Sequence, residues 1–252
     1  MKAPLKSSVS FKSLSQLKKI IPVGSTVNSF LLYSGDVEYS LASTGRKVKA
    51  HTNRYAIYEF WMHLLADRHS LARAAAHVYP TIDDAQFYFL QEDMNTYKDP
   101  QLRAALFFIM NRSSTTGLVS CGHLSRDNFN PAAFALLKRF DPENIYPIFD
   151  KEEDLMENIR NASEADYNVL PVGKYSFNLF EYGKARALDT TPIQHRDLAA
   201  LVKQSNKKFA LLYKSHPALF KLYGDYNIKM VDAYGRSTDE RKKCEEMIVA
   251  NF

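Results

Sequence analysis

Short apolar runs spaced by helix-length stretches constrain this chain more than any other feature. Residues 26–32, "TVNSFLL", read as an apolar strand that ends at a turn near Ser34-Gly35. "RKVKAH" (46–51) is a second strand, and "YAIYEFWMHLLADRHSLARAAAHVY" (55–79) is a long helix stopped by Pro80. After residue 167 the alternation resumes, with "YNVLPV" as a strand, "TPIQHRDLAALVKQS" as a helix and "KFALLYK" as a strand. "NIKMVDAY" and "EEMIVANF" supply two last strands. This alternation is the rhythm of a parallel sheet, whose crossovers need connections of helix length. Near the start, "SLSQLKKIIP" (13–22) puts Leu14, Leu17, Ile20 and Ile21 at helical spacing between an N-cap, Ser13, and a stop, Pro22.

Between about residues 81 and 165 the pattern is helical: "DDAQFYFLQEDMNTY", "PQLRAALFFIMNRS", "PAAFALLKRF" and "EEDLMENIRNAS". The stretch "NRSSTTGLVSCGHLSRDNFNP" among them is rich in Ser, Thr, Asn and Gly and reads as a polar hairpin. The simplest architecture is one α/β domain in two parts, 1–80 and 166–252, with a helical, hairpin-bearing insertion over 81–165.

Charge is distributed unevenly along the 252 residues, whose net charge is +5. Residues 1–54 hold nine Lys/Arg against two Asp/Glu, 55–202 hold 14 against 20, and 203–252 hold 10 against six. If the basic ends meet in space, their field attracts a polyanion such as nucleic acid. The run from Asp141 to Asp166 carries nine acids against Lys151 and Arg160, so it repels DNA and suits a basic protein partner. Two distant cysteines, Cys121 and Cys244, suggest neither a disulfide framework nor a zinc site. No apolar run approaches the roughly 18 residues of a membrane span, and the first residues lack the apolar stretch of a signal peptide. A cytoplasmic location without membrane contact is the expectation.

In order and spacing the segments resemble the Dam-type adenine DNA methyltransferases. The likeness rests on Asn111, Arg112, Gly117, Phe129, Asn130 and Pro131 in the hairpin, on His195, Leu198 and Ala199 in "TPIQHRDLAALV", and on "ERKKCEEMIVANF" as the closing strand. It implies a Rossmann-like methyltransferase sheet, doubly wound and mostly parallel, with the insertion reading DNA. By the same resemblance the source is a phage or prokaryote, and the location the host cytoplasm if phage-encoded.

Position by position, the chemistry of that family is degraded. Its cofactor loop is a glycine-rich turn that lets backbone approach S-adenosylmethionine (SAM). This chain reads Ser29-Phe30-Leu31-Leu32-Tyr33-Ser34-Gly35, where only Gly35 survives and Tyr33 puts a ring in the cofactor's path. The acidic residue that holds the ribose is replaced by Thr52, and the family's Gly-Gly-Lys element is reduced to Lys12. Where the family carries Asp-Pro-Pro-Tyr stand Val172, Gly173, Lys174 and Tyr175. Adenine's amino nitrogen is a poor nucleophile, and a valine cannot accept its hydrogen bonds as a carboxylate does. Lys174 also brings a cation to a site that must hold a sulfonium.

The expectation is a catalytically inactive relative that needs neither cofactor nor metal and acts as a nucleic-acid-binding or protein-binding module. DNA contact is expected from Asn111, Arg112, Thr115, Thr116, His123, Arg126, Asn128 and Asn130, with help from the basic termini; amides, hydroxyls and a guanidinium are the groups that reach phosphates and base edges. Two alternatives stand beside it: an active adenine-specific enzyme with a diverged site, and a noncatalytic subunit recruited through the acidic 141–166 segment.

Overall fold

The computed structural model describes all residues except 1, 2, 8, 130, 131, 176–187, 189 and 190, and the backbone but not the side chain of Asn128. The strands are β1 (Thr26–Ser29), β2 (Lys47–Thr52), β3 (Ile145–Phe149), β4 (Tyr167–Gly173), β5 (Phe209–Lys214), β6 (Asn227–Val231) and β7 (Glu246–Ala250). They form one sheet in the order β3-β2-β1-β4-β5-β7-β6. All pairings from β3 to β5 are parallel, and β7 runs antiparallel between β5 and β6. Strand order therefore reverses between β1 and β4, the switch point of a doubly wound fold, with the antiparallel seventh strand of the methyltransferase variant.

Both faces are covered, as a parallel sheet requires. On one, Val27, Val48, Ala50, Val169, Ala210 and Leu212 pack with α1 (Leu14–Ile20), α2 (Asp36–Ala42), α3 (Tyr55–Val78), α5 (Pro100–Ser113) and α6 (Ala132–Arg139). On the other, Phe30, Leu170, Phe209, Leu211 and Val249 pack with α7 (Leu155–Asn161), α8 (His195–Gln204) and α9 (Pro217–Leu222). The amphipathic helix α4 (Asp84–Asp93) buries Phe87 and Leu90 and leaves Tyr88 and Phe89 outside.

Three elements differ from the sequence reading. β3, "IYPIF", lies inside the stretch read as helical; a proline and a five-residue length hide a strand from periodicity. The long helix is broken at Asp67 (φ −153°, ψ 84°), whose Oδ1 accepts from the N–H groups of His69 and Ser70 and restarts the helix as a cap. Strand β1 is also shorter than its apolar run: Leu31 takes φ 65°, and the chain leaves the sheet at Phe30.

Candidate functional site

The carboxyl ends of the parallel strands, at the β1/β4 switch point, are where a doubly wound fold places its ligand. After β1 the chain runs Phe30 to Gly35 and enters α2. Gly35 adopts φ +79°, and a Cβ there would lie 2.2 Å from Cζ2 of Trp61. The one retained glycine thus serves close packing against an indole. That indole donates from Nε1 to the Tyr33 carbonyl at 2.9 Å and fixes the loop.

Tyr33 points across the end of β1. Its hydroxyl donates to the Gly117 carbonyl at 2.7 Å and accepts from Nδ2 of Asn111 at 2.8 Å. Asn111 is fully buried, and its carboxamide also pairs with the backbone of Lys6: Oδ1 accepts from the Lys6 N–H (2.7 Å) while Nδ2 donates to the Lys6 carbonyl (3.0 Å). An amide is the one side chain that can satisfy both groups of a single extended residue. The N-terminal segment is thereby strapped over the edge. Farther along it Val9 meets Gly173, the Ser10 carbonyl accepts from Nζ of Lys214, and the N–H groups of Lys12 and Ser13 donate to Glu246. Lys12 is held by its backbone beside β7, two strands beyond β4, and Ser34 donates to Asp36 at 3.2 Å.

At the end of β2, Thr52 is buried and its Oγ1 accepts from the N–H of Arg54 at 3.2 Å. Next to it, the buried His51 ring stacks on Phe30 with centroids 4.7 Å apart. Its Nδ1 lies 2.9 Å from Asp150 Oδ1, and its Nε2 3.4 Å from Oδ1 of Asn28. Asn28 in turn donates to Asn168 and to the Ser163 carbonyl. This polar core under the switch point was missed from sequence; its one signal was an asparagine and a histidine inside segments that read as strands.

At the end of β4, a bulge lies between Leu170 and Gly173, and Gly173 takes φ +84°. Val172 packs against the core cluster shared by α7 to α9, and Lys174 is exposed. The Tyr175 ring stacks on His216 (4.7 Å, 29°) and tilts against His195 (4.6 Å). His195 Nδ1 reaches the hydroxyl of buried Tyr213 at 3.2 Å, and Tyr213 reaches Tyr223. Burial holds the His195 imidazole down to about 4 and pushes the Tyr223 phenol up to about 12. His195 is therefore a neutral ring at physiological pH. The end of β4, Val172 to Tyr175, carries no carboxylate side chain.

The hairpin lies at the same edge, joined to β1 through Tyr33 and Gly117. It closes on itself: the Thr115 N–H donates to the His123 carbonyl, and Ser114 and Thr116 hydroxyls donate to the Cys121 carbonyl. Thr115, Thr116, His123 and Arg126 are exposed. His123 Nδ1 meets the Tyr88 hydroxyl at 2.5 Å, and Arg126 donates to the Ile82 carbonyl. Arg112 lies beneath, half-buried, with Nη1 3.5 Å from the Pro4 carbonyl and Nε buried without a partner. Burial lowers its pKa, and its charge helps lower that of Lys6, whose Nζ donates to the Arg112 carbonyl. Asn130 and the Asn128 side chain fall outside what is described.

The two basic ends meet. Gly235, in the β6–β7 connection, accepts from Ser15 Oγ and Gln16 Nε2, and Ser237 donates to Gln16. The contact sets the start of α1, which carries Lys18 and Lys19 in its last turn, against the β6–β7 connection, which carries Arg236 and the run Arg241 to Lys243. Among the described residues no helix is long and apolar enough to cross a membrane, and no group of acids, histidines and cysteines has the arrangement of a metal site.

No family model matches this chain, and no curated protein matches it. Among solved structures it is similar to a TehB-like SAM-dependent methyltransferase from Corynebacterium glutamicum, at 6% identity over 95% of this chain and 86% of that one, with a TM-score of 0.40. A SAM-dependent methyltransferase from Agrobacterium tumefaciens overlaps at 9% identity, TM-score 0.34, over 94% of this chain and 59% of its own length. One from Neisseria gonorrhoeae overlaps at 10% identity, TM-score 0.32, over 97% and 73%. At such identities the likeness is one of fold alone, a doubly wound, mostly parallel sheet of seven strands.

Proposed function

We propose that this chain keeps the methyltransferase fold as a scaffold for binding nucleic acid and does not transfer a methyl group. The observation that carries the reading is Tyr33. With Lys6 and Asn111 it fills the end of β1, where a glycine-rich turn would leave room for SAM. The end of β4 supports the same conclusion, since the Val172 side chain has no acceptor and the Tyr175 ring lies against the imidazoles of His195 and His216.

For nucleic acid, Thr115, His123 and Arg126 offer donors on the hairpin, the Thr116 hydroxyl offers an acceptor, and Arg112 is a guanidinium with no carboxylate paired to it among the described residues. The joined basic ends add sequence-independent attraction to phosphate. Asn111, spent inside the protein, contributes by shaping the hairpin's base. The test is an electrophoretic shift with duplex DNA across a salt series, with and without SAM. The expected result is retention that weakens steeply with salt and ignores SAM. Arg112→Ala is expected to weaken all sequences alike and to reduce the slope of log K against log salt by about one. No retention at low salt, or retention that requires SAM, would contradict the reading.

A further inference from the structure

Tyr55, Met62 and Phe149 are exposed and, with the half-buried Tyr58, form an apolar surface at the start of α3 and the end of β3. Tyr55, Tyr58 and Met62 follow i, i+3, i+7 along α3 and so share one face. Phe149, ending β3, meets Tyr55 edge-on at 5.4 Å and Tyr58 at 5.7 Å. Tyr55 is 52% exposed, Met62 41% and Phe149 37%. Single exposed apolar side chains are ordinary, but three rings in mutual contact, Tyr55, Tyr58 and Phe149, with Met62 one turn farther on the same face, mark a place where something docks.

The surroundings say what kind of partner fits. Directly after Phe149 come Asp150, Lys151, Glu152, Glu153 and Asp154, four carboxylates to one ammonium. Nδ2 of Asn53 donates to the Glu153 carbonyl at 2.8 Å and holds this loop against the start of α3. Asp150 is engaged by His51 and Asp154 by the N–H of Met156, which leaves Glu152 and Glu153 facing water. Among the described residues the nearby cations are Lys151, Arg54 at the head of α3, and Arg103, which is paired with Glu59. Strand addition along β3 is closed. The N–H groups of Val48 and Asp150 bond across to Asn144 and Thr52, so alternation turns position 147 outward, and there stands a proline with no N–H to give.

We infer that this patch docks a protein partner through a cationic segment, whose ammonium or guanidinium heads lie over the Tyr55 and Phe149 rings and reach Glu152 and Glu153. It is independent of the nucleic-acid surface, because the same carboxylates repel phosphate. The test uses a fluorescein-labelled oligoarginine peptide and fluorescence anisotropy on the full chain. The wild type is expected to bind saturably, Glu152→Gln/Glu153→Gln to bind more weakly, and Tyr55→Ala/Phe149→Ala to lose at least about fivefold in affinity. The ring variant keeps every charge, so unspecific attraction would survive it, and circular dichroism with a thermal melt confirms that it folds. Equal affinity of wild type and ring variant, or no binding by the wild type, overturns the inference. So does concentration-dependent self-association in sedimentation that Phe149→Ala abolishes, which would give the patch to a second copy.

Discussion

Glu38 is a carboxyl group whose charge the fold disfavours. It sits on α2 directly behind the loop after β1, 2% exposed, with Ser29 Oγ donating to it at 2.6 Å. Burial pushes its carboxyl up to about 7, against the smaller pull of the Ser29 hydrogen bond, while the unfolded chain ionises near 4.5. Between those values the folded protein retains a proton that the unfolded chain has released, so stability falls as pH rises through the window and levels off above it. The loss is about 3 kcal/mol. Glu38→Gln is expected to abolish this slope, which urea denaturation at about pH 5 and about pH 8 will show; a parent whose stability is flat across that range contradicts the assignment. At Gly35, alanine brings a Cβ into Trp61 and an unfavourable positive φ together. Gly35→Ala is expected to cost at least about 2 kcal/mol in the same assay. Asn111→Ala strands the backbone groups of Lys6, at about 1–3 kcal/mol.

At the scale of elements, the joint between α1 and β7 depends on a single buried carboxylate. Glu246 accepts from the N–H groups of Lys12 and Ser13 at 3.0 and 2.8 Å and from Lys214 Nζ at 2.5 Å. Burial opposes its ionisation, and those hydrogen bonds together overcome it and hold its pKa below the ordinary 4.5. Its stabilisation is thus complete above about pH 4.5 and is lost as pH falls through the depressed value. Glu246→Ala leaves the half-buried Lys214 ammonium and two N–H groups without it, and is expected to lower stability by about 3 kcal/mol at neutral pH. A milder loss, under about 1 kcal/mol, would mean that water replaces the carboxylate. The Pro147 edge and the Asp67 cap belong to this scale too: each ends a hydrogen-bond pattern with one residue chosen for what it lacks or accepts.

At the scale of the molecule, the alternation of apolar runs and helix-length spacers made the sheet legible, because a parallel strand buried on both faces leaves an unbroken apolar signature. β3 was illegible for the converse reason. As an edge strand it buries Ile145 fully and exposes Tyr146 and Phe149, so no run forms. Of the site, the residues after β1 and at the end of β4, Tyr33 and Val172 to Tyr175, were readable one by one. What sequence could not give was the partnership of Tyr33, Asn111 and Lys6, residues up to 105 positions apart, or the packing of Tyr175 between two histidines. Both are matters of long-range contact, on which local pattern is silent. The meeting of the basic ends likewise needed the β6–β7 connection to fold onto α1. The charge division that results, basic at the joined ends and acidic around β3, predicts two independent surfaces. Arg112→Ala should impair nucleic-acid retention alone, and the ring variant peptide binding alone.

The claim beneath all of this is that the chain's own side chains occupy the crevice at the end of β1. Isothermal titration of the protein with SAM addresses it most directly. The account predicts no saturable heat up to millimolar ligand, about a thousandfold above the micromolar range of a working cofactor site. A one-to-one isotherm with micromolar affinity would contradict it, since Tyr33 would then have to vacate the place its hydrogen bonds with Asn111 and Gly117 now hold.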